Sequence, residues 1–172
     1  NTAARTYTLP DSSVTLGAGA LTFIGSQTTE ATTTSATTAD LLTISPAPSI
    51  TAGTPFKVIF NARKSTCTIQ PSFGVKVNGT LIFESNGGFS TANESQSAVY
   101  SVEFGARVTN YQRAVSGFMG GRGATGGSSA TITADQNDVA IATVTAIVIT
   151  GKSDGTCTIA ADEAFVYSYS TS

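Results

Sequence analysis

The chain has 172 residues, of which 12% are charged, with nine Lys and Arg against eleven Asp and Glu and no histidine. This balance leaves no basic surface for nucleic acid, and the lack of histidine removes the commonest general base and metal ligand. No apolar run reaches the roughly 18 residues that a membrane-spanning helix needs, and a hydrophobic content of 40% is too high for a disordered chain. We expect one polar-surfaced domain with a binding or structural role rather than a catalytic one.

Residues 1–24 form the first predicted element, an arm with strand-like alternation. Tyr7 and Leu9 alternate with threonines, and Val14 and Leu16 share one face a few residues later. A period of two residues is typical of a half-buried β-strand. The arm therefore has the pattern of a strand that can pair with a sheet edge.

A polar segment, residues 25–40, follows the arm and contains no Val, Ile, Leu, Met, Phe or Tyr. Sixteen extended residues span up to roughly 50 Å. We predict a solvated, Thr-rich tether, a candidate for O-glycosylation, that lets residues 1–24 add a strand to the sheet of a neighbouring subunit. The alternative is that the arm folds back on its own domain and that residues 25–40 are an ordinary surface excursion, part of it an edge strand.

Residues 41–172 form the predicted body. Strand signals recur at residues 56–60, 75–83, 100–108, 139–149 and 165–169, separated by Gly, Asn, Asp and Pro turns. Eight to ten strands without a helix indicate two packed sheets or a barrel. We predict an all-β fold, a two-sheet, jelly-roll-like β-sandwich; the lack of Trp argues against an immunoglobulin-type sandwich.

The two cysteines, Cys67 and Cys157, have nearly matching neighbours, Ser-Thr-Cys-Thr-Ile and Gly-Thr-Cys-Thr-Ile. Each reads as the start of a strand after a turn, so strands that begin side by side would bring the two sulfurs within bonding distance. We predict a disulfide, which would stabilise by roughly 4 to 5 kcal/mol in the chain-entropy model, and therefore an oxidising, extracellular compartment. The alternative is two buried free thiols.

Two sequons agree with an extracellular compartment. Asn78 and Asn93 each begin an Asn-X-Ser/Thr triplet and are candidate N-glycosylation sites. Asn78 followed by Gly79 also fits a hairpin turn. The triplet at Asn78 therefore has two interpretations, a glycan acceptor and a turn.

Three motifs that resemble chemical sites have simpler interpretations. Residues 121–126 match G-x-G-x-x-G, but no helix follows to receive a phosphate, so we predict a glycine loop between strands. Residues 151–153 resemble the end of a P-loop, but Ala146 stands where that motif needs Gly. A loop with Asp135, Asn137 and Asp138 has oxygen ligands suited to Ca²⁺, yet such loops are usually turns.

The carboxylates give no catalytic pattern. Glu84, Glu94 and Glu103 are scattered, nothing brings two of them together as a glycosidase requires, and Asp162 and Glu163 form only a local acidic pair. We predict no catalytic residue, no cofactor and no metal site.

The layout of an alternating N-terminal strand (Tyr7, Leu9, Val14, Leu16), a polar tether, a sandwich body and one disulfide resembles secreted pilus or thread subunits that assemble by donor-strand complementation. It also resembles the jelly-roll decoration, fibre and capsid proteins of viruses, in which an N-terminal arm reaches a neighbour. The first resemblance implies a head-to-tail homopolymer, an extracellular filament whose partners are other copies of the chain. The second implies a virion-surface protein, and a carbohydrate-binding or adhesion module is a third hypothesis.

Overall fold

The computed structural model describes residues 21–85, 89, 95–108, 111–123, 126–132, 139–141 and 143–169, and all regular structure in these ranges is β-strand. The strands in chain order are β1 (Leu21–Gln27), β2 (Ala31–Thr33), β3 (Ala39–Ile44), β4 (Ile50–Thr51), β5 (Phe56–Lys64), β6 (Ser72–Val77), β7 (Thr80–Glu84), β8 (Gln96–Val108), β9 (Tyr111–Gly123), β10 (Gly126–Ile132), β11 (Val139–Ala140), β12 (Thr143–Val144), β13 (Ile147–Lys152) and β14 (Ile159–Tyr169).

Two antiparallel sheets contain the long strands. The larger sheet has the order β1-β14-β5-β8-β9-β10, with β2 also pairing with β14 and β11 with β9, while the smaller has the order β3-β13-β6-β7. β4 and β12 form a separate two-stranded ladder. Eight of these strands can be renumbered one to eight in chain order: β1, β3, β5, β6, β7, β8, β13 and β14. In the new numbers the larger sheet contains the order 1-8-3-6 and the smaller sheet has the order 2-7-4-5. This is the jelly-roll order, and the predicted all-β, jelly-roll-like sandwich is confirmed.

The core lies between the two sheets and follows from period-two alternation. In β5, Phe56, Val58 and Phe60 are fully buried, whereas the residues between them are half-buried. Apolar residues of β6 and β13 face them from the smaller sheet, including Val75 and Ile149. Burial of each such side chain stabilises the fold by about 1.5 to 3 kcal/mol.

The predicted division into arm, tether and body needs a correction at residues 21–40. Residues 21–27 pair with β14, so residues 21–24 belong to the body's own sheet, and residues 25–40 contain β2 and the beginning of β3. The physical reason is that a strand at a sheet edge is held by main-chain hydrogen bonds to one neighbour and requires few large apolar side chains, while Thr favours extended backbone. The candidate donor residues Tyr7, Leu9, Val14 and Leu16 lie outside the described residues, and their role stays a prediction.

Candidate assembly surface

An exposed apolar patch lies where β1 begins, on the outer face of the larger sheet. The β1–β14 register pairs Leu21 with Tyr169 and Phe23 with Tyr167, and the rings of Phe23 and Tyr167 meet edge to face with centroids 5.8 Å apart. Phe23 remains 54% exposed and Leu21 43% exposed. An outer sheet face is usually polar, so Leu21 and Phe23 form an apolar patch on a face where polar side chains are expected.

Polar side chains border this patch. Lys57 lies opposite Tyr167 on β5, and Glu103 lies opposite Lys57 on β8. Lys57 Nζ donates to Glu103 Oε1 at 3.3 Å, and the Tyr169 hydroxyl donates to the same oxygen at 3.1 Å. Partial burial and the Glu103 carboxylate raise the pKa of Tyr169, which stays a neutral donor at physiological pH.

The edge of β1 is open only near its start. Among the described strands, β1 pairs with β14 alone. At Ile24 the main-chain carbonyl is not available to another strand, because it already accepts a hydrogen bond from the Ala47 amide at 2.7 Å. At Gly25 the chain packs closely, and an added Cβ would lie 2.9 Å from Ile44 Cγ2. The accessible edge is therefore residues 21–23.

A groove of about 270 Å³ adjoins this open edge. Its walls come from the start of β1, from the end of β14 and from the segment around β4; they include Thr22, Ile24, Pro48, Ile50 and Tyr169. Ile24 and Ile50 are buried, and five of the nine lining residues are Thr or Ser, so the walls of the groove are partly polar and partly apolar. The groove and the patch together surround the point at which residues 1–20 join the body.

Two other sheet edges, β3 and β7, have a different character. β3 carries Asp40, which forms an ion pair with Lys76. β7 carries Glu84, which accepts a hydrogen bond from Ser72 at 2.9 Å. β1 has the sequence Leu-Thr-Phe-Ile-Gly-Ser-Gln and carries no charge. Because charged side chains are a common protection of exposed edges against pairing, the start of β1 is less protected than β3 and β7.

At the opposite end of the sandwich, Cys67 and Cys157 are joined in the predicted disulfide. Asp154 binds both cysteine segments. Its Oδ2 accepts from the amides of Thr68 and Ile69 at 3.0 and 3.1 Å, and its Oδ1 accepts from the amide of Thr156 at 2.8 Å and from that of Cys157 at 3.0 Å. These bonds, led by those from Thr156, hold the pKa of the Asp154 carboxyl far below its ordinary value. The sequence indicated only a turn here, because two of the partners, Thr68 and Ile69, are 86 and 85 residues away along the chain.

Asn78 also has a structural role that the sequence did not reveal. It has φ of +48° in the β6–β7 turn. Its Oδ1 accepts from the amides of Thr145 and Ala146 at 2.9 and 3.1 Å, and its Nδ2 donates to the Thr143 carbonyl at 2.6 Å. The nitrogen that a glycan would modify is thus already hydrogen-bonded. The second sequon, Asn93, lies outside the described residues.

The remaining predicted motifs do not form a chemical site among the described residues. Gly123 pairs with Gly126 in the β9–β10 hairpin, so the glycine motif joins two strands and precedes no helix. Asp162 forms an ion pair with Arg63, and Glu163 accepts a hydrogen bond from Asn61. Glu84 and Glu103 lie in different sheets.

Glu94, Asp135, Asn137 and Asp138 lie outside the described residues. In the described ranges no group of three or more metal-ligating side chains is found. None of the described residues forms a helix long and apolar enough to cross a membrane.

Comparison with known proteins assigns no family. No family model matches the chain, and no curated protein matches it. One similar solved structure comes from work on cell entry of botulinum neurotoxin type C, described as dependent upon interaction with two ganglioside molecules; the identity is 8% and the TM-score 0.34. That alignment covers 88% of this chain and 43% of the other, so this chain spans less than half of its length. A TM-score this low supports no statement about function.

Proposed function

We propose that the protein is a structural subunit of an extracellular filament and that it assembles with copies of itself through residues 1–20. The proposal rests on the place where residues 1–20 join the body, which is the start of β1. An alternating apolar sequence leads directly into an uncharged edge strand whose Leu21 and Phe23 are exposed. The disulfide is compatible with an extracellular location.

Strand addition, rather than completion of a deficient fold, is the form of assembly that this body permits. All eight jelly-roll strands come from residues 21–169 of one chain, so the sandwich lacks no strand. A donated strand would therefore extend a sheet at its edge through main-chain hydrogen bonds. Such a contact joins different surfaces of the two copies, and a head-to-tail contact that does not close generates a filament.

Deleting residues 1–20 tests the proposal. We expect the fragment of residues 21–172 to remain folded, with an unchanged far-UV circular dichroism spectrum, and to sediment as a monomer under conditions in which the full chain forms rods in negative-stain images. A full-length control in which Tyr7, Leu9, Val14 and Leu16 are replaced by Ser keeps the length and removes the apolar face. Filaments formed by either variant would refute the proposal.

A virion decoration, fibre or capsid protein is the second candidate, and the jelly-roll strand order favours it because this architecture recurs in viral capsid domains. Fold alone does not determine function. The same images separate the two candidates, because a virion shell protein forms closed particles or binds to them, whereas a filament subunit forms open rods.

A further inference from the structure

We propose that the open start of β1 is the acceptor for the N-terminal segment of a second copy, with residues 7–9 or residues 14–16 of that copy pairing with residues 21–23 and covering Phe23. This inference rests on the proposed function and adds the site at which the segment binds. It also commits to one occupant, the segment of residues 1–20 that precedes β1.

The chemistry of the edge is the first argument. Of the edge strands whose side chains are described, β3 and β7 carry Asp40 and Glu84, and β2 exposes no large apolar side chain. Only the start of β1 combines a free main-chain edge, no charge and two large apolar side chains that are each more than two-fifths exposed. An unprotected apolar edge of this kind is the feature by which strands associate.

Side-chain pattern is the second argument. On neighbouring antiparallel strands, directly opposed Cβ atoms lie about 4.5 to 5.5 Å apart, so residues on the same face pack against each other. A strand beside β1 that presents Tyr7 and Leu9, or Val14 and Leu16, on the outer face would place them against Leu21 and Phe23. Its alternate threonines would face the groove beside Ile24 and Ile50.

The short connection between the segment and β1 limits which residues the chain's own segment can place on this edge. An intramolecular return through the four residues 17–20 would pair residues 14–16 with residues 21–23. Further pairing would then meet Ile24, whose carbonyl is already bonded to Ala47, and the close packing at Gly25. Tyr7 and Leu9 would have no position on this edge. A segment from another copy approaches without that connection, so either apolar pair can use the open edge.

Cysteine cross-linking between different variants tests the inference. The two native cysteines are joined, so an introduced cysteine is the only free thiol. Leu9→Cys and Phe23→Cys are made as separate full-length proteins, mixed, allowed to assemble and oxidised. We expect a cross-linked heterodimer whose bond joins positions 9 and 23 by mass spectrometry. Val99→Cys is the matched control, because Val99 is 47% exposed on the same sheet but lies three strands away from β1.

A charge at the acceptor is the second variant. Phe23→Lys is expected to weaken assembly by about tenfold or more, because it gives the edge the protection that it lacks, while the monomer remains folded. If truncation of residues 1–20 abolishes assembly but Phe23→Lys assembles normally and no 9–23 bond forms, the acceptor is wrong and the proposed function stands. If the truncated chain still assembles, the proposed function itself fails.

Two further results would overturn the inference. One is a bond between positions 14 and 23 that forms within single chains carrying Val14→Cys and Phe23→Cys, in a protein whose mixture of Leu9→Cys and Phe23→Cys chains gives no 9–23 bond, which would show that the segment folds back on its own β1. The other result is that a free glycan binds at the patch and that Phe23→Ala abolishes this binding, while the mixture of Leu9→Cys and Phe23→Cys proteins gives no 9–23 bond.

Discussion

Replacement of Asn78 separates a backbone effect from a hydrogen-bond effect in the β6–β7 turn. The residue has φ of +48°, a conformation that Asn and Gly tolerate and that costs most other residues about 1 to 2 kcal/mol. Its side chain also makes four hydrogen bonds to residues 143–146. The site is exposed, so each bond is taken at the lower end of the usual net contribution, about 0.5 kcal/mol.

Those values give an ordered series of variants. Asn78→Gly keeps the backbone conformation and loses the four bonds, so we expect it to lower the free energy of unfolding by about 2 kcal/mol. Asn78→Ala adds the strain and should lower it by about 3 kcal/mol. Asn78→Asp keeps the oxygen that accepts three of the bonds and should lower it by about 1 kcal/mol or less.

Urea denaturation followed by circular dichroism measures the series, and thermal melting gives an independent check. For a chain of this size, 1 kcal/mol corresponds to a shift in Tm of about 2 to 4 °C. Thr80→Ala is the control, because it removes the sequon and leaves the side chain of Asn78 intact. If Asn78→Gly is as stable as the parent, the four bonds contribute nothing and the reasoning is refuted. If Thr80→Ala reproduces the loss, a glycan rather than the hydrogen bonds carries the effect.

Three other changes test the remaining structural claims. The pKa of Asp154 is lower in the folded chain than the ordinary value of 3.8, so its contribution to stability is complete above pH 3.8 and is lost as the pH falls toward the folded pKa. Asp154→Asn should therefore lower Tm at pH 7 and should lower it less at pH 2. An equal loss of Tm at the two pH values would contradict this. Replacing Cys67 and Cys157 together by Ser opens a loop with a separation of 90 residues, and should lower the free energy of unfolding in urea by about 4 to 5 kcal/mol in the chain-entropy model. The Tyr100 hydroxyl is fully buried beside Ser85 but has no hydrogen bond within the described part of the chain. Tyr100→Phe should therefore leave the free energy of unfolding unchanged or raise it by up to about 1 kcal/mol. A loss of about 2 kcal/mol or more in urea denaturation would show that the hydroxyl has a partner.

Alternation predicted the strands of the body well wherever one face of a strand is buried. The pattern at residues 56–60 and 100–104 corresponds to β5 and β8, and the turn at Asn78 joins β6 to β7. One detail of β7 does not follow from alternation. A register shift between Val75 and Lys76 leaves Leu81 exposed and buries Ile82 and Phe83 in succession. A bulge changes which face a residue occupies, and no residue type in this hairpin indicates one.

Continuous apolar sequence was less informative than alternation. Residues 139–149 suggested one central strand, but they form three short strands with different partners. β11 pairs with β9, β12 with β4, and β13 lies between β3 and β6. Buried apolar residues recur along this stretch against different neighbours, among them Ile141, Val144 and Ile147, so composition cannot show where one strand ends.

The candidate assembly surface was hardest to predict, because it depends on exposure rather than on residue type. Leu21 and Phe23 alternate with Thr22 as core residues would, and only their exposure and the register shift that follows Phe23 show that they lie outside the sandwich. The sandwich itself buries Phe56, Phe60 and Phe104 without them. The core therefore does not require a phenylalanine at position 23, whereas the proposed acceptor site would give this side chain a role. A polar residue there should cost little stability in the isolated body and much more in the assembled form, which is why the cross-linking and charge variants at this position separate the two roles.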